Sequence, residues 1–409
     1  MTDTPLRDRI HAAAERDTPA VTRFLRELIA IPSESAGERA VVARVADEMH
    51  ALGFDEVKID GFGNVLGRVG DGPKVVCLDG HLDTVGVGDP GTWTRDPYAG
   101  VVEDGVIYGR GASDQEAGLA SAVYGARIAK QLGLLDGLSL WVSGTVMEED
   151  CDGLCWQYIL REGVLRPDVV VITEPTNLAV YRGHRGRMEI EVRTQGRSAH
   201  GSAPERGVNA IYKMAPILRD IEALNDALAA SADPFLGKGS VTVSEVRSTS
   251  PSLCAVADSC TIHLDRRLTS GETRERAVAE VMALPSVREA GATVTVLDYA
   301  REGYTGLVYP TAKYYPTWVT PERDAAVRGA VRAASLALDH APEVGRWVFS
   351  TNGVATAGMF GVPTVGFGPA DERYAHTPDD QCPVAHLTRA MAFYAAFPQA
   401  WLAAQKEAP

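Results

Sequence analysis

The sequence predicts an α/β fold in which a mostly parallel sheet covered by helices is interrupted by a smaller α+β sandwich. Three observations carry this. Short apolar runs alternate with helical patterns up to residue 182, the pattern changes to half-exposed strands near Gly183, and the first pattern returns after residue 320. A chain of 409 residues is long enough for two such units, and 45% hydrophobic content is ample for their cores. The expected division is 1–182 with 309–409 for the larger unit and 183–308 for the insertion.

Each element follows from its local pattern. The N-terminus MTDTPLRDRIHAAAERD is polar and helical in pattern, residues 18–30 show helical periodicity ending before Pro32, and residues 36–52 repeat it and stop at Gly53. KVVCLDGHLD is a continuous apolar run ending in polar residues, the pattern of a buried strand with functional residues at its tip. A helix over 116–131, the strand LSLWVSGTV, a helix near 153–162 and the strand DVVVIT follow. In the insertion, GRMEIEVRTQG alternates with period two. A helix over 206–229, the strands SVTVSEVR and DSCTIHLDRR, a helix near 272–284 and the strand ATVTVLDY complete one helical layer on one sheet. Residues 302–320 are rich in Gly, Tyr and Pro and read as irregular. A helix over 321–340, the strand RWVFS, a helix after Asn352, the strand VPTVGFG and a long helix from 384 close the chain.

Composition narrows the function classes. A net charge of −14 and a pI near 5.2 argue against nucleic acid or an anionic membrane as partner, since both need a basic face. No apolar run reaches the length of a membrane span, and the N-terminus lacks a signal-peptide core. The expectation is a cytoplasmic protein. Six scattered cysteines fit reduced thiols better than a disulfide framework. Cys151 and Cys155 are the one near pair, and with no second Cys/His pair beside them they read as buried thiols rather than a zinc site.

The chemistry-bearing residues are His81, Asp83, Asp114, Glu148, Glu149, Glu174 and His376, each at what reads as the end of a strand, where α/β sheets place their sites. In GHLDTV, His81 and Asp83 are two apart on a strand and share a face, so His81 can ligate a metal while Asp83 fixes its ring. Asp114, between a Gly-rich turn and a helix, can bridge two cations, although an aspartate there is more often a helix cap. Glu148 and Glu149 are adjacent acids ending an apolar strand, which a buried strand avoids unless a cation or proton compensates. One of them can bind metal while the other holds an attacking water. Glu174, before Pro175, is a plausible end ligand. His376 is a loop histidine whose weight comes from the other segments. Together they can supply end ligands for two ions, a bridging carboxylate and a spare carboxylate base.

GHLDTV, GRGASD, the paired glutamates, TEPT, GRSAHGSAPERGVNAI, DRRLTSGE and AHTPDD resemble the zinc aminoacylase and carboxypeptidase family that contains succinyl-diaminopimelate desuccinylase, acetylornithine deacetylase and carboxypeptidase G. The resemblance spans nearly the whole chain. SPSLCAVADSCTIHLDRRLT, TGLVYPT and FSTNGV resemble in particular a bacterial subgroup of selenium-metabolism-linked hydrolases. It implies a zinc-binding catalytic unit with a lid and dimerisation domain inserted, and a homodimer. It also implies two Zn2+, with Co2+ or Mn2+ as alternatives. His81 and Glu174 would hold one ion, Glu149 and His376 the other, and Asp114 would bridge them. Asp83 would orient His81, and Glu148 would be the general base and then the acid. The bond after Asp114 is cis in relatives. His200 would act as oxyanion donor in the partner subunit's site, where the residues alone would make it a surface histidine.

The substrate-facing residues are less uniform. Arg267 matches an arginine that commonly meets a substrate carboxylate, and an ion pair with Asp265 or Glu272 is the plain alternative. Cys254 stands where many relatives have a substrate-contacting asparagine. Glu116 replaces a common lysine. Thr351, Asn352 and Gly353 replace a Gly-rich stretch and are expected to line a changed pocket. The reading is a metal-dependent hydrolase of a C–N amide bond in a small N-acyl, ureido or peptide-linked amino acid. A dipeptidase or carboxypeptidase is the alternative, followed by a non-catalytic binding protein that keeps the fold. A single-metal aminopeptidase is set aside because Asp114 and both glutamates exceed what one ion needs.

Overall fold

The computed structural model describes residues 4–407; the first three and last two residues, which the expected larger unit includes, lie outside it. The polar N-terminus and the next helical segment form one helix, α1 (Thr4–Ile29), whose Val21, Phe24, Leu25 and Leu28 are buried at helical spacing. α2 (Arg39–Ala51) follows and buries Val41, Val42, Val45 and Met49.

The larger sheet is built from β1 (Glu56–Ile59), β2 (Val65–Val69), β3 (Lys74–His81), β4 (Leu138–Thr145), β5 (Val169–Ile172) and β6 (Val180–Tyr181). Helices α3 (Glu116–Gln131) and α4 (Leu154–Arg161) lie between these strands in the chain. The smaller unit holds β7 (Gly186–Gln195), α5 (Ala210–Ala227), β8 (Ser240–Thr249), β9 (Ser259–Leu268), α6 (Arg274–Ala283) and β10 (Thr293–Val296). β11 (Tyr314–Tyr315), α7 (Ala325–Leu338), β12 (Val344–Gly345), β13 (Thr364–Gly366) and α8 (Val384–Gln405) complete the elements that matter here.

The large sheet runs in the order β1-β2-β4-β3-β5-β13-β6-β12. Its centre is parallel: β3 pairs with β4 and β5, and β5 with β13. The edges are not. β1 pairs antiparallel with β2, β2 with β4, and β6 with β13, so the sheet is mixed. The β1–β2 ribbon is too short to show a clear period in sequence. β4 is buried at every residue, as its unbroken apolar character requires of a central strand covered on both faces.

RWVFS does not form the expected strand. Pairing ends at Gly345, and Trp347 is buried among the rings of Tyr181, His184 and Trp318 at centroid distances of 5.3, 6.2 and 6.2 Å. Ring packing, not a β-ladder, explains that apolar run. The helix after Asn352 is a π-helical turn, Val354–Met359.

The smaller unit is a separate domain with a core of its own. Its antiparallel sheet runs β8-β9-β7-β10, with β11 added to β7. Met188, Ile190 and Val192 of β7 point inward onto Met214, Ile217 and Ile221 of α5. The intervening Arg187, Glu189 and Glu191 therefore lie on the face away from the helices.

Candidate metal centre

Because β3, β4, β5 and β13 are parallel, their carboxyl ends share one edge of the sheet. His81 is the last residue of β3, Glu148 and Glu149 follow β4, Glu174 follows β5, and His376 lies in the loop after β13. Asp114 reaches the same edge from the turn before α3. Close packing brings it there. A Cβ on Gly118 would stand 2.2 Å from the carbonyl oxygen of Thr173, so only glycine lets α3 approach the end of β5 this closely. The buried Asp380 carboxylate fixes the turn before Asp114. It accepts the N–H groups of Gly111 (2.9 Å) and Ser113 (2.7 Å) and pairs with Arg110 (3.0 Å).

The seven predicted residues converge. His81 Nε2 stands 3.0 Å from Asp114 Oδ1, 3.5 Å from Glu174 Oε1 and 4.0 Å from Glu148 Oε2. His376 Nε2 stands 3.2 Å from Asp114 Oδ2 and 3.1 Å from Glu149 Oε2. Asp114 thus offers one oxygen to each histidine, the placement a bridging carboxylate needs. The Asp114–Gln115 bond is cis. The ring of His81 is held by Asp83, although through its backbone: Nδ1 lies 2.8 Å from the Asp83 carbonyl oxygen and 3.7 Å from its carboxylate. The Asp83 carboxylate instead accepts the N–H groups of Glu148 (3.1 Å) and Glu149 (3.0 Å) and the hydroxyl of Ser35 (2.7 Å). That turn brings both glutamates to one pocket, which a straight strand could not do.

The donor set fits a cation. Glu148 Oε1 and Glu174 Oε2 are buried with no hydrogen-bond partner, a costly state for two carboxylates unless a positive charge serves them. Burial, with the nearby Asp114 charge, pushes Glu149 up to about 7 and Glu174 up to about 8. Burial likewise raises Glu148 well above the usual range. His376 is raised to about 10 by its hydrogen bonds to Asp114 and Glu149. Acids that resist ionisation beside histidines that hold protons describe a site short of positive charge. Imidazole and carboxylate donors suit zinc and neighbouring divalent ions. His81, Glu148 and Glu174 also gather ligand atoms within 4.8 Å, as do His81, Asp114 and Glu149. Geometry alone therefore leaves Glu148 either as a ligand or as a free base.

A cavity of about 360 Å³ opens on this centre and is also lined by Asp152, Arg187, Arg267, Phe349 and Ser350. Of the expected substrate residues, Arg267 reaches it, but its guanidinium is gripped by Asp265 at 2.7 and 2.9 Å. Thr351, Asn352 and Gly353 do not line it. Thr351 Oγ1 lies 3.0 Å from His184, and Gly353 packs under Trp318. The Asn352 amide donates to buried Asp79 (2.9 Å) and accepts from the Gly153 N–H (3.0 Å) and the Cys155 thiol (3.1 Å). All three residues are buried behind the wall, which Phe349 and Ser350 form instead. His200 and Cys254 are exposed together on the smaller domain, away from the cavity lining; His200 Nδ1 accepts from the Ser202 N–H at 3.1 Å. Sequence reasoning missed Ser35, Asp79 and Asp152. The one available signal was a lone acid inside an apolar strand, as at Asp79.

The profile of "Peptidase family M20/M25/M40" matches residues 77–400, which include every residue of the centre. The uncharacterized protein YgeY of Escherichia coli K12 is 54% identical over 385 residues, covering 94% of this chain and 95% of that protein. Among solved structures, aminopeptidase PepT from Bacillus cereus superposes with a TM-score of 0.69 at 20% identity, covering 94% of this chain and 99% of its own. The di-peptidase Dug1p of Saccharomyces cerevisiae gives 0.70 at 16%, covering 98% and 99%. These two show the fold.

Proposed function

This chain belongs to peptidase family M20/M25/M40, metal-dependent hydrolases, and we propose that it cleaves the C–N amide bond of a small N-acyl, ureido or peptide-linked amino acid. The observation that carries the reading is Glu148, a buried carboxylate with an unpartnered oxygen, set beside an aspartate shared by two histidines. A second reading, a dipeptidase or carboxypeptidase, differs only in the acyl group and uses the same residues.

His81 and Glu174 would hold one divalent ion, Glu149 and His376 a second, and Asp114 both; zinc is the proposed metal, with cobalt or manganese as alternatives. Bound ions supply polarisation of the scissile carbonyl and a water acidic enough to ionise near neutral pH. Glu148 Oε1 accepts a proton from the attacking water, whose oxygen bonds to the carbonyl carbon. As the C–N bond breaks, Glu148 passes that proton to the leaving nitrogen, and an acid and an amine result. Burial raises Glu148 above the usual carboxylate range, which makes it a stronger base. We further propose a homodimer in which His200 of a second copy donates to the developing oxyanion, and membership of the selenium-metabolism-linked subgroup on the motifs named above. No helix among the described residues is long and apolar enough to cross a membrane. A cytoplasmic location is proposed on six unpaired cysteines, five of them buried.

The test is amine release by zinc-loaded protein across N-acyl, N-succinyl and N-carbamoyl amino acids and dipeptides. Turnover of one class, absent in Glu148→Gln, supports the proposal and selects the branch. Silence across the panel with metal bound favours the non-catalytic alternative.

A further inference from the structure

The residues that follow the tip of β4 leave the sheet, and the N–H group of each from Val146 to Glu149 donates to a side chain instead of a strand. Val146 donates to Asn64 Oδ1 (3.1 Å), Met147 to Glu38 Oε1 (3.1 Å), and Glu148 and Glu149 to the two oxygens of Asp83 (3.1 and 3.0 Å). The acceptors come from the β1–β2 turn, the start of α2 and the loop after β3, and all three are fully buried. Glu38 is the unexpected member. It stands at the N-terminal cap of α2, where a side chain ordinarily serves the helix's own N–H groups. It makes no such bond. Its carboxylate turns to Met147, 109 residues along the chain, and Oε2 is buried without a partner. Burial, with the charge of Asp83, pushes Glu38 up to about 7, and Oε1 can accept the N–H in either protonation state. Met147 is buried with φ at +64°, in the left-handed region that a side chain other than glycine occupies only under strain. That residue turns the chain directly before Glu148. An extended chain would send Glu148 and Glu149 to opposite faces.

We propose that Glu38 is a positioning residue for Glu148: by accepting the Met147 N–H it holds the left-handed turn that aims the Glu148 carboxylate into the cavity. Glu38 does not line that cavity, so it acts through the turn and touches neither substrate nor ion. Asp83 fixes the two glutamates from one side, and Glu38 fixes the residue before them from the other. The role rests on the reading of Glu148 as the proton-transferring base, while the hydrogen bond that holds the turn is measurable without turnover.

The experiment therefore has an exchange arm and a kinetic arm, both on the full metal-loaded chain, with melting curves confirming that each variant folds. Glu38→Gln keeps an acceptor oxygen, Glu38→Ala removes it, and Glu38→Leu removes it while filling the space, for the case in which the alanine cavity prevents folding. In the exchange arm, the amide hydrogen of Met147 should be protected in wild type and Glu38→Gln and exposed in the other two. An unprotected Met147 amide in wild type overturns the proposal by itself. In the kinetic arm, Glu38→Ala or Glu38→Leu should lower kcat by about tenfold to a hundredfold, with KM and metal content largely kept, and Glu38→Gln should restore most of the rate. In a Glu148→Gln background the loss of the acceptor should cost nothing further, because the residue it positions is already disabled. A purely stabilising role would shift the melting temperature without this selectivity. Equal loss of rate in Glu38→Gln and Glu38→Leu, the same fall in the Glu148→Gln background, or loss of metal in step with rate each overturns the positioning role and leaves the hydrolase reading intact. No turnover by wild type, with Met147 protection that depends on the acceptor at residue 38, overturns the hydrolase reading and supports the turn assignment.

Discussion

The carboxylate of Asp83 accepts the backbone N–H of Glu148 at 3.1 Å, and its other oxygen takes the N–H of Glu149 at 3.0 Å. One fully buried side chain from the tip of β3 therefore shapes the turn at the tip of β4, and its backbone carbonyl meets the ring of His81 at 2.8 Å. Three candidate site residues depend on it. Asp83→Ala should leave two buried N–H groups without partners, at about 1–3 kcal/mol each. The expected result is a lower melting temperature and metal affinity reduced by about 10–100-fold, measured by competitive chelation. Unchanged metal affinity in a folded variant would show that the turn holds without this aspartate.

Glu148→Gln separates the two roles that geometry leaves open. As a base, Glu148 contributes to proton transfer alone, so the variant should keep its metal content while kcat falls by about 10²–10⁴. Elemental analysis of the dialysed protein beside the rate measurement decides it. Loss of an ion in step with the rate would make Glu148 a ligand.

Gly368→Ala probes the support of Glu174. A Cβ there would stand 2.1 Å from the Glu174 carbonyl oxygen and 2.4 Å from that of Thr173, both backbone atoms. Neither can swing aside as a side-chain tip would. Overpacking of this kind costs about 1–3 kcal/mol, and its relief should displace Glu174. The variant should melt earlier and retain less metal after dialysis than wild type. A lower melting point with metal retention intact would confine the effect to packing.

His184 sets an acid limit on stability. Its Nε2 accepts the Trp318 indole N–H (2.7 Å) and the Thr351 N–H (3.0 Å), and Nδ1 lies 2.9 Å from the Arg185 carbonyl oxygen. A proton on Nε2 would face two donors. Burial, the largest cause, pushes the ring down to about 4. Between the usual 6.5 and that value the unfolded chain binds a proton that the folded chain refuses. Stability from this group is therefore complete above pH 6.5 and falls as pH drops toward 4, by on the order of 3 kcal/mol. Chemical denaturation across that range should show the fall, and His184→Gln should flatten this part of the profile. An identical slope in the variant would assign the acid sensitivity elsewhere.

The proposed action of His200 across a dimer can be tested by complementation. His200→Ala and Glu148→Gln should each be inactive alone. A refolded mixture should recover part of the activity, because a mixed dimer holds one site with both residues intact. A mixture as inactive as its parents, or an active monomer, would remove the trans role.

Much of the centre was legible in the order of residues. His81, Asp114, Glu148, Glu149, Glu174 and His376 stand at the ends of apolar strands or at a helix start. Parallel strands must bring such ends to one edge whatever the detailed packing. The α3 boundaries were legible for the same reason, since a helix between two buried strands has clear apolar periodicity. The β1–β2 ribbon was not, because strands of four and five residues at a sheet edge carry too little pattern. RWVFS misled because burial by ring packing and burial in a β-ladder look alike in one dimension.

The order of residues was enough to indicate the fold class, the edge on which the chemistry gathers and the donor types of the proposed metal centre, because period, apolar run length and residue type are local properties. Which polar groups face the cavity depended on long-range packing. Thr351 and Asn352 turned inward to serve His184 and Asp79, while Phe349 and Ser350 took the wall. Arg267 was claimed by Asp265, and Arg187 was seated over Tyr315 with Asp152 and Glu189 at 3.5 and 3.7 Å. The reason is hydrogen-bond accounting: whether a buried donor is free for a ligand depends on every acceptor that the fold brings within about 3 Å, and those acceptors come from segments tens to hundreds of residues away.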